Sequence, residues 1–299
     1  MTGRGGTATS PETWLFLALG ASAVAVLAAD ASVLPEQAWV AVLALAVALT
    51  GLPHGALDPW VAWRAGLWRG RGGFVAFNLA YIGVAALVVA TWWQAPGPGL
   101  ALFLAISAWH FSGDWRQHLP VWARALAGSA LLALPAWRWP GEVEHAFALL
   151  AGPDGAMIAG WLGSAAPWLA AGMAAAVAVA LRRSRAAAIE LAAVAALAWL
   201  LPPLVYFIVY FCSLHSLRHL RTAASRADAG SRRRMAAVAL LYTALTLVAA
   251  ALAWPWLGLV GAPAPGADLI KLVFIGLAAL TLPHMIVVML SERAGDPAP

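Results

Sequence analysis

Ten apolar, mostly uncharged stretches, separated by short segments that hold most of the charge, leave this chain few folds to adopt. They run over residues 14–29, 38–52, 72–93, 99–111, 121–136, 157–181, 186–201, 204–220, 235–254 and 267–290. Backbone groups in hydrocarbon must be satisfied internally, so such stretches cross a bilayer as helices. Hydrophobic residues make up 63% of the chain and charged ones 10%, where a soluble domain carries about a quarter charged. The mean hydropathy is +0.81. The expectation is an all-α, polytopic integral-membrane bundle of about ten transmembrane helices (eight to ten), one transmembrane domain over 1–299. Residues 1–13 and 291–299 are expected to be flexible termini, and 137–156 the longest extracytoplasmic loop, with room for a short interfacial helix. The first stretch has signal-sequence character around 26–30 and is read as a retained span.

Charge sets the orientation. With the N-terminus inside, sixteen of the 18 Lys and Arg fall in inner segments, and only Arg138 and Lys271 fall outside. That asymmetry obeys the positive-inside rule and predicts an N-in, C-in protein of the cell membrane. It also accounts for the pI near 10 without nucleic acid as a partner. Cys212 is the only cysteine, which excludes a disulfide framework or a thiolate cluster.

The histidines then gain meaning. Tyr206-Phe-Ile-Val-Tyr-Phe-Cys-Ser-Leu-His215-Ser-Leu-Arg-His219 ends an apolar helix in two imidazoles four residues apart. That spacing puts both on one helical face, about 6 Å apart along the axis. His54, in Gly51-Leu-Pro-His-Gly-Ala-Leu-Asp58, and His110, in Ser107-Ala-Trp-His-Phe-Ser-Gly-Asp114, fall at the inner ends of two other stretches. His284, in Leu282-Pro-His-Met285, sits about 10 Å deeper at 1.5 Å per residue. It is read as a residue behind the ligands or lining the pocket. His118 belongs to a loop, and His145 lies on the far side.

Imidazoles in a membrane are costly unless paired or liganded, which favours a metal site of His54, His110, His215 and His219. Asp58 and Asp114 each follow a histidine by four residues, and either orients a ligand imidazole or caps a helix. Three or four neutral imidazoles suit Zn, Cu, Fe or Ni and disfavour Mg and Ca. Six inner histidines are too few for the histidine boxes of di-iron membrane desaturases, and their bunching argues against a bis-histidine haem. No Ser/His/Asp or Cys/His constellation competes for chemistry. Trp109, Phe111, Tyr206, Phe207, Tyr210 and Phe211 are candidates to line an apolar tunnel beside the metal.

Four motifs in order, Pro53-His-Gly-Ala-Leu-Asp58, Trp109-His-Phe-x-Gly-Asp114, Tyr210-Phe-Cys-Ser-Leu-His-Ser-Leu-Arg-His219 and Leu282-Pro-His-Met285, make the chain resemble the Brp/Blh family. These are bacterial and archaeal membrane β-carotene 15,15'-dioxygenases associated with rhodopsin systems. The resemblance implies Fe(II) held by His54, His110, His215 and His219, with His284 matching a further motif histidine outside that set. It implies O2 and β-carotene as substrates, cleavage of the central double bond, and two retinal molecules as product. It also implies a functional link to a microbial rhodopsin. The Ser112 insertion between Phe111 and Gly113 departs from the family pattern.

Other readings remain. A different carotenoid or apocarotenoid is a substrate the sequence does not separate from β-carotene. A histidine-based metal transporter lacks the charged intramembrane relay that coupled transport uses. A retinal photoreceptor needs a Schiff-base lysine, and Lys271, the only one, falls near the outer end of its span.

Overall fold

The computed structural model describes residues 10–30, 33–259 and 267–295. Among these, all regular structure is helical: α1 (Pro11–Ala29), α2 (Glu36–Ala46), α3 (Leu52–Gly55), α4 (Asp58–Arg64), α5 (Gly70–Gln94), α6 (Pro96–Ser112), α7 (Val121–Arg138), α8 (Pro140–Leu181), α9 (Arg185–Leu200), α10 (Pro203–Phe207), α11 (Ser216–Ser225), α12 (Ala229–Ala253) and α13 (Ala267–Arg293). Each of the ten apolar stretches lies in helix. Among the described residues, six helical runs are long and apolar enough to cross a membrane: Pro11–Ala29, Gln37–Arg64, Gly70–Gln94, Pro140–Leu181, Ala229–Trp256 and Ala267–Arg293. The chain is a polytopic helical membrane protein.

Helix starts follow local chemistry. Pro11, Pro53, Pro59, Pro96, Pro140 and Pro203 occupy first-turn positions, where the missing N–H costs nothing. Ser10, Ser184 and Asp228 accept backbone N–H bonds as N-caps.

The interior draws on short and long helices alike. Core residues come from α7 (Ala123, Ala127, Leu131), α8 (Met173, Ala176), α9 (Leu191, Val194) and the stretch Val205–Leu214. Small residues let these helices approach closely. A Cβ on Gly128 of α7 would overlap the Ala108 carbonyl of α6. By contrast few residues of α5 and α12 are buried, Val88 and Trp92 on the one and Met235 on the other, as in helices that turn one face to lipid.

Two π-helical segments, Val47–Gly51 and Ile208–His215, interrupt what hydropathy reads as plain α-helix. π-turns often mark functional sites. One ends three residues before His54, and the other ends on His215.

Residues 137–156 are mostly helical. α8 is broken at Ala151 and Gly152, where Gly152 has φ +60°, a conformation glycine adopts without strain. The resulting half-helix before the break packs against the bundle through Val143, Leu149 and Leu150, all buried. Most of the expected flexible termini lies outside the described residues; within them, Pro11 already begins a helix and α13 continues to Arg293.

At the end of the bundle that carries the histidines, acidic and basic groups tie four elements together. Glu190 of α9 accepts from Arg218 Nη2 (2.6 Å), from Trp115 Nε1 (3.2 Å) and from the Thr13 hydroxyl. Glu12 accepts from Arg221 Nη2 at 2.7 Å. Buried charge is tolerated here because each group has a partner.

Candidate metal centre

His54 lies on α3, His110 in the last turn of α6, His215 at the end of the second π segment, His219 on α11 and His284 on α13. Their five rings form one cluster. Centroid separations are 4.5 Å for His215–His219, 4.6 Å for His110–His215, 5.0 Å for His110–His284, 5.4 Å for His54–His284 and 5.5 Å for His54–His215. His284, which helical rise places deeper than the rest, stands among them. His118 lines a neighbouring polar cavity, and His145, on α8, is not among the clustered rings.

Tautomers follow from the partners. Nδ1 of His54 bonds the Gly51 carbonyl, which can only accept, so Nδ1 carries the proton. Nδ1 of His215 donates to Asp114 at 3.0 Å, and Nδ1 of His284 donates to Asp58 at 2.7 Å. Each of these rings then keeps a lone pair on Nε2. His219 has Nε2 3.7 Å from Asp114 Oδ1 and leaves Nδ1 over.

The aspartates do not serve the histidines of their own motifs. Asp58, four residues after His54, holds His284. Asp114, four residues after His110, holds His215. Each carboxylate also accepts a tyrosine hydroxyl, Tyr81 to Asp58 at 2.8 Å and Tyr210 to Asp114 at 2.6 Å. Tyr81 on α5 and Glu190 on α9 escape motif reasoning; a polar group inside an otherwise apolar span is the signal that points to them.

The cluster fits a metal ion by its unsatisfied atoms. His219 Nδ1 and His284 Nε2 are buried without a hydrogen-bond partner among the described residues. Nε2 of His110 and Nε2 of His215 face each other at 3.0 Å. The possible ligand atoms fall into two groups, His54/His110/His284 and Asp114/His215/His219, each within 4.8 Å of one another. The His110–His215 approach joins the two. Neutral imidazoles backed by carboxylates are the donor set of Zn, Cu, Fe or Ni.

Two cavities meet at this centre. His54, His110 and His284 line an apolar cavity together with Leu104, Leu131, Phe147, Leu204, Phe207 and Phe274. Tyr206, Tyr210, Phe111 and Phe211 line it as well. Trp109 does not; it is half exposed on the other side, with the Arg124 guanidinium 5.0 Å from its ring centroid. That side is a polar cavity reaching His110, Asp114 and His219. Lys271 is buried near Asp268 and does not line the apolar cavity.

Comparison with known proteins agrees with this geometry. The sequence model of the family "Beta-carotene 15,15'-dioxygenase" matches residues 45–291, which include all five clustered histidines and both aspartates. The beta-carotene 15,15'-dioxygenase of uncultured marine bacterium 66A03 is 32% identical over 259 residues, covering 84% of this chain and 92% of that protein. No solved structure matches. An apolar cavity lined by clustered imidazoles, in a chain matched over most of its length, leads to one assignment: the protein belongs to the beta-carotene 15,15'-dioxygenase family of oxidoreductases.

Proposed function

We propose that this protein is an iron-dependent dioxygenase that cleaves the central 15,15' double bond of β-carotene with O2 to give two retinal molecules. The observation that carries this reading is the apolar cavity that His54, His110 and His284 line together with aliphatic and aromatic side chains. A hydrocarbon substrate has no polar handle, so its position is set by the shape of the walls. Both oxygen atoms end in the two aldehydes, so no external reductant is needed.

His54, His110, His215 and His219 hold Fe(II) in this reading. The bound iron supplies the one-electron chemistry that makes O2 reactive towards an alkene. The protein does the rest. Asp114 fixes the His215 ring through Nδ1 and is itself fixed by Tyr210, so that ligand nitrogens point at a common place. Tyr206, Phe207, Tyr210 and Phe211 line the cavity, excluding water and aligning the polyene. Asp58 and Tyr81 steady His284, which also lines this wall.

The charge asymmetry of the loops supports an N-in, C-in protein of the cell membrane with the metal site toward the cytoplasmic leaflet. Substrate then enters sideways from the bilayer. Retinal released there is available to a retinal-binding membrane protein such as a microbial rhodopsin.

The test is expression in a β-carotene-producing bacterium, with pigment and retinal measured by chromatography. Loss of β-carotene with appearance of retinal is expected. Persistent β-carotene and no retinal, from iron-loaded protein in the membrane, overturns the reading.

A further inference from the structure

We propose that His284 is a fifth metal ligand, held in place by Asp58 and Tyr81. The inference rests on the iron-site reading above and extends it to a histidine outside the four-ligand set.

Two arms of the same construction meet at the centre. In one, the Tyr210 hydroxyl bonds Asp114 at 2.6 Å, and Asp114 accepts from His215 Nδ1 at 3.0 Å. In the other, the Tyr81 hydroxyl bonds Asp58 at 2.8 Å, and Asp58 accepts from His284 Nδ1 at 2.7 Å. The second arm draws on α5, α4 and α13, none of which contributes to the first. A carboxylate that accepts from Nδ1 fixes the tautomer and ring plane and makes Nε2 a better donor to a metal, as at ligand histidines generally.

The far side of the ring agrees. In the neutral ring His284 Nε2 carries a lone pair, since Nδ1 carries the proton. That nitrogen is buried and finds no hydrogen-bond partner among the described residues. A histidine that merely lined an apolar wall would leave this lone pair desolvated and unpaired, a costly arrangement. Instead its ring lies 5.0 Å from His110 and 5.4 Å from His54, and the ligand atoms of these three fall within 4.8 Å of one another. The ligand atoms of His284, His54 and His110 meet the same 4.8 Å limit that groups His219 with His215 and Asp114.

A six-coordinate ion held by these five imidazoles would keep one position for a small molecule. The polyene, which has no donor atom, needs none.

Full-length protein in detergent is stripped of metal and titrated with Co2+, whose visible spectrum reports its coordination. His284→Ala is expected to weaken Co2+ binding at least about tenfold and to change that spectrum, with added imidazole restoring it. Asp58→Asn, which leaves the ring in place, is expected to weaken binding about 10–100-fold. His145→Ala is the control for both. Wild-type Co2+ affinity and spectrum in His284→Ala overturn the proposal; if that variant does not fold, wild-type affinity in Asp58→Asn does so. A wild-type protein that makes no retinal yet binds Co2+ through His284 overturns the dioxygenase reading and leaves this one standing.

Discussion

Nε2 of His110 stands 3.0 Å from Nε2 of His215, across 105 positions of sequence. His215 has its proton on Nδ1, toward Asp114, so its Nε2 offers a lone pair to whatever lies between the rings. Metal–imidazole bonds are about 2.0–2.1 Å long, so two nitrogens at right angles on one ion stand about 3 Å apart. This pair is therefore the hinge of the site. His110→Ala and His215→Ala are each expected to abolish bound iron and turnover, read by metal analysis and retinal yield. A chelator that strips iron is expected to do the same to the wild type, reversibly on adding Fe(II).

Asp114 touches no substrate, yet it serves His215 directly and lies 3.7 Å from His219 Nε2. Asp114→Asn is expected to weaken iron binding about 10–100-fold. Its turnover should fall at limiting iron and recover when iron is in excess. A loss that excess iron does not repair would assign Asp114 a different role.

Leu104 lies on α6, less than two turns before His110, and lines the apolar cavity. Leu104→Trp should fill that space without touching a ligand. Iron content should match the wild type while β-carotene turnover falls at least about tenfold, a barrier increase of roughly 1.4 kcal/mol. Metal analysis beside product chromatography separates the two effects.

Glu190 is buried and is bonded by Arg218, Trp115 and Thr13. Glu190→Ala removes the 2.6 Å carboxylate contact of Arg218 beside the centre and leaves Glu12 at 3.7 Å from its Nε. Breaking such a pair is expected to cost about 3 kcal/mol, measured as a lower unfolding midpoint in detergent. Glu190→Gln, which can keep the Trp115 and Thr13 bonds, should cost less.

Gly128 holds α7 against α6 at Ala108 and Ser112, two residues to either side of His110. Gly128→Ala places a methyl group on the Ala108 carbonyl, and overpacking of this kind costs about 1–3 kcal/mol. Because His110 follows in the same turn of α6, lower iron affinity should accompany the lower stability. Unfolding and metal titration on the same sample test the link.

What could be read early was local. Apolar stretches report helices because hydropathy and helical rise are properties of adjacent residues, and every one of the ten lies in helix. His215 and His219 could be paired for the same reason, four residues apart on one face. Tyr210 and Phe211 were also legible as cavity residues. Trp109 was not: as the immediate neighbour of His110 it points to another side of α6, toward Arg124 and the polar cavity.

The sequence by itself determined the helical membrane class, the histidine inventory and the family, since these depend on composition, periodicity and ordered motifs. Only the tertiary structure decided which aspartate meets which histidine. Asp58 and Asp114 are spaced to serve His54 and His110, yet helix crossings bring them to His284 and His215. The structure also decided the level of His284, because depth counted along one straight helix ignores how helices tilt and how π-turns shift the facing residues. Such pairings span up to 226 positions, and no local spacing rule reaches that far.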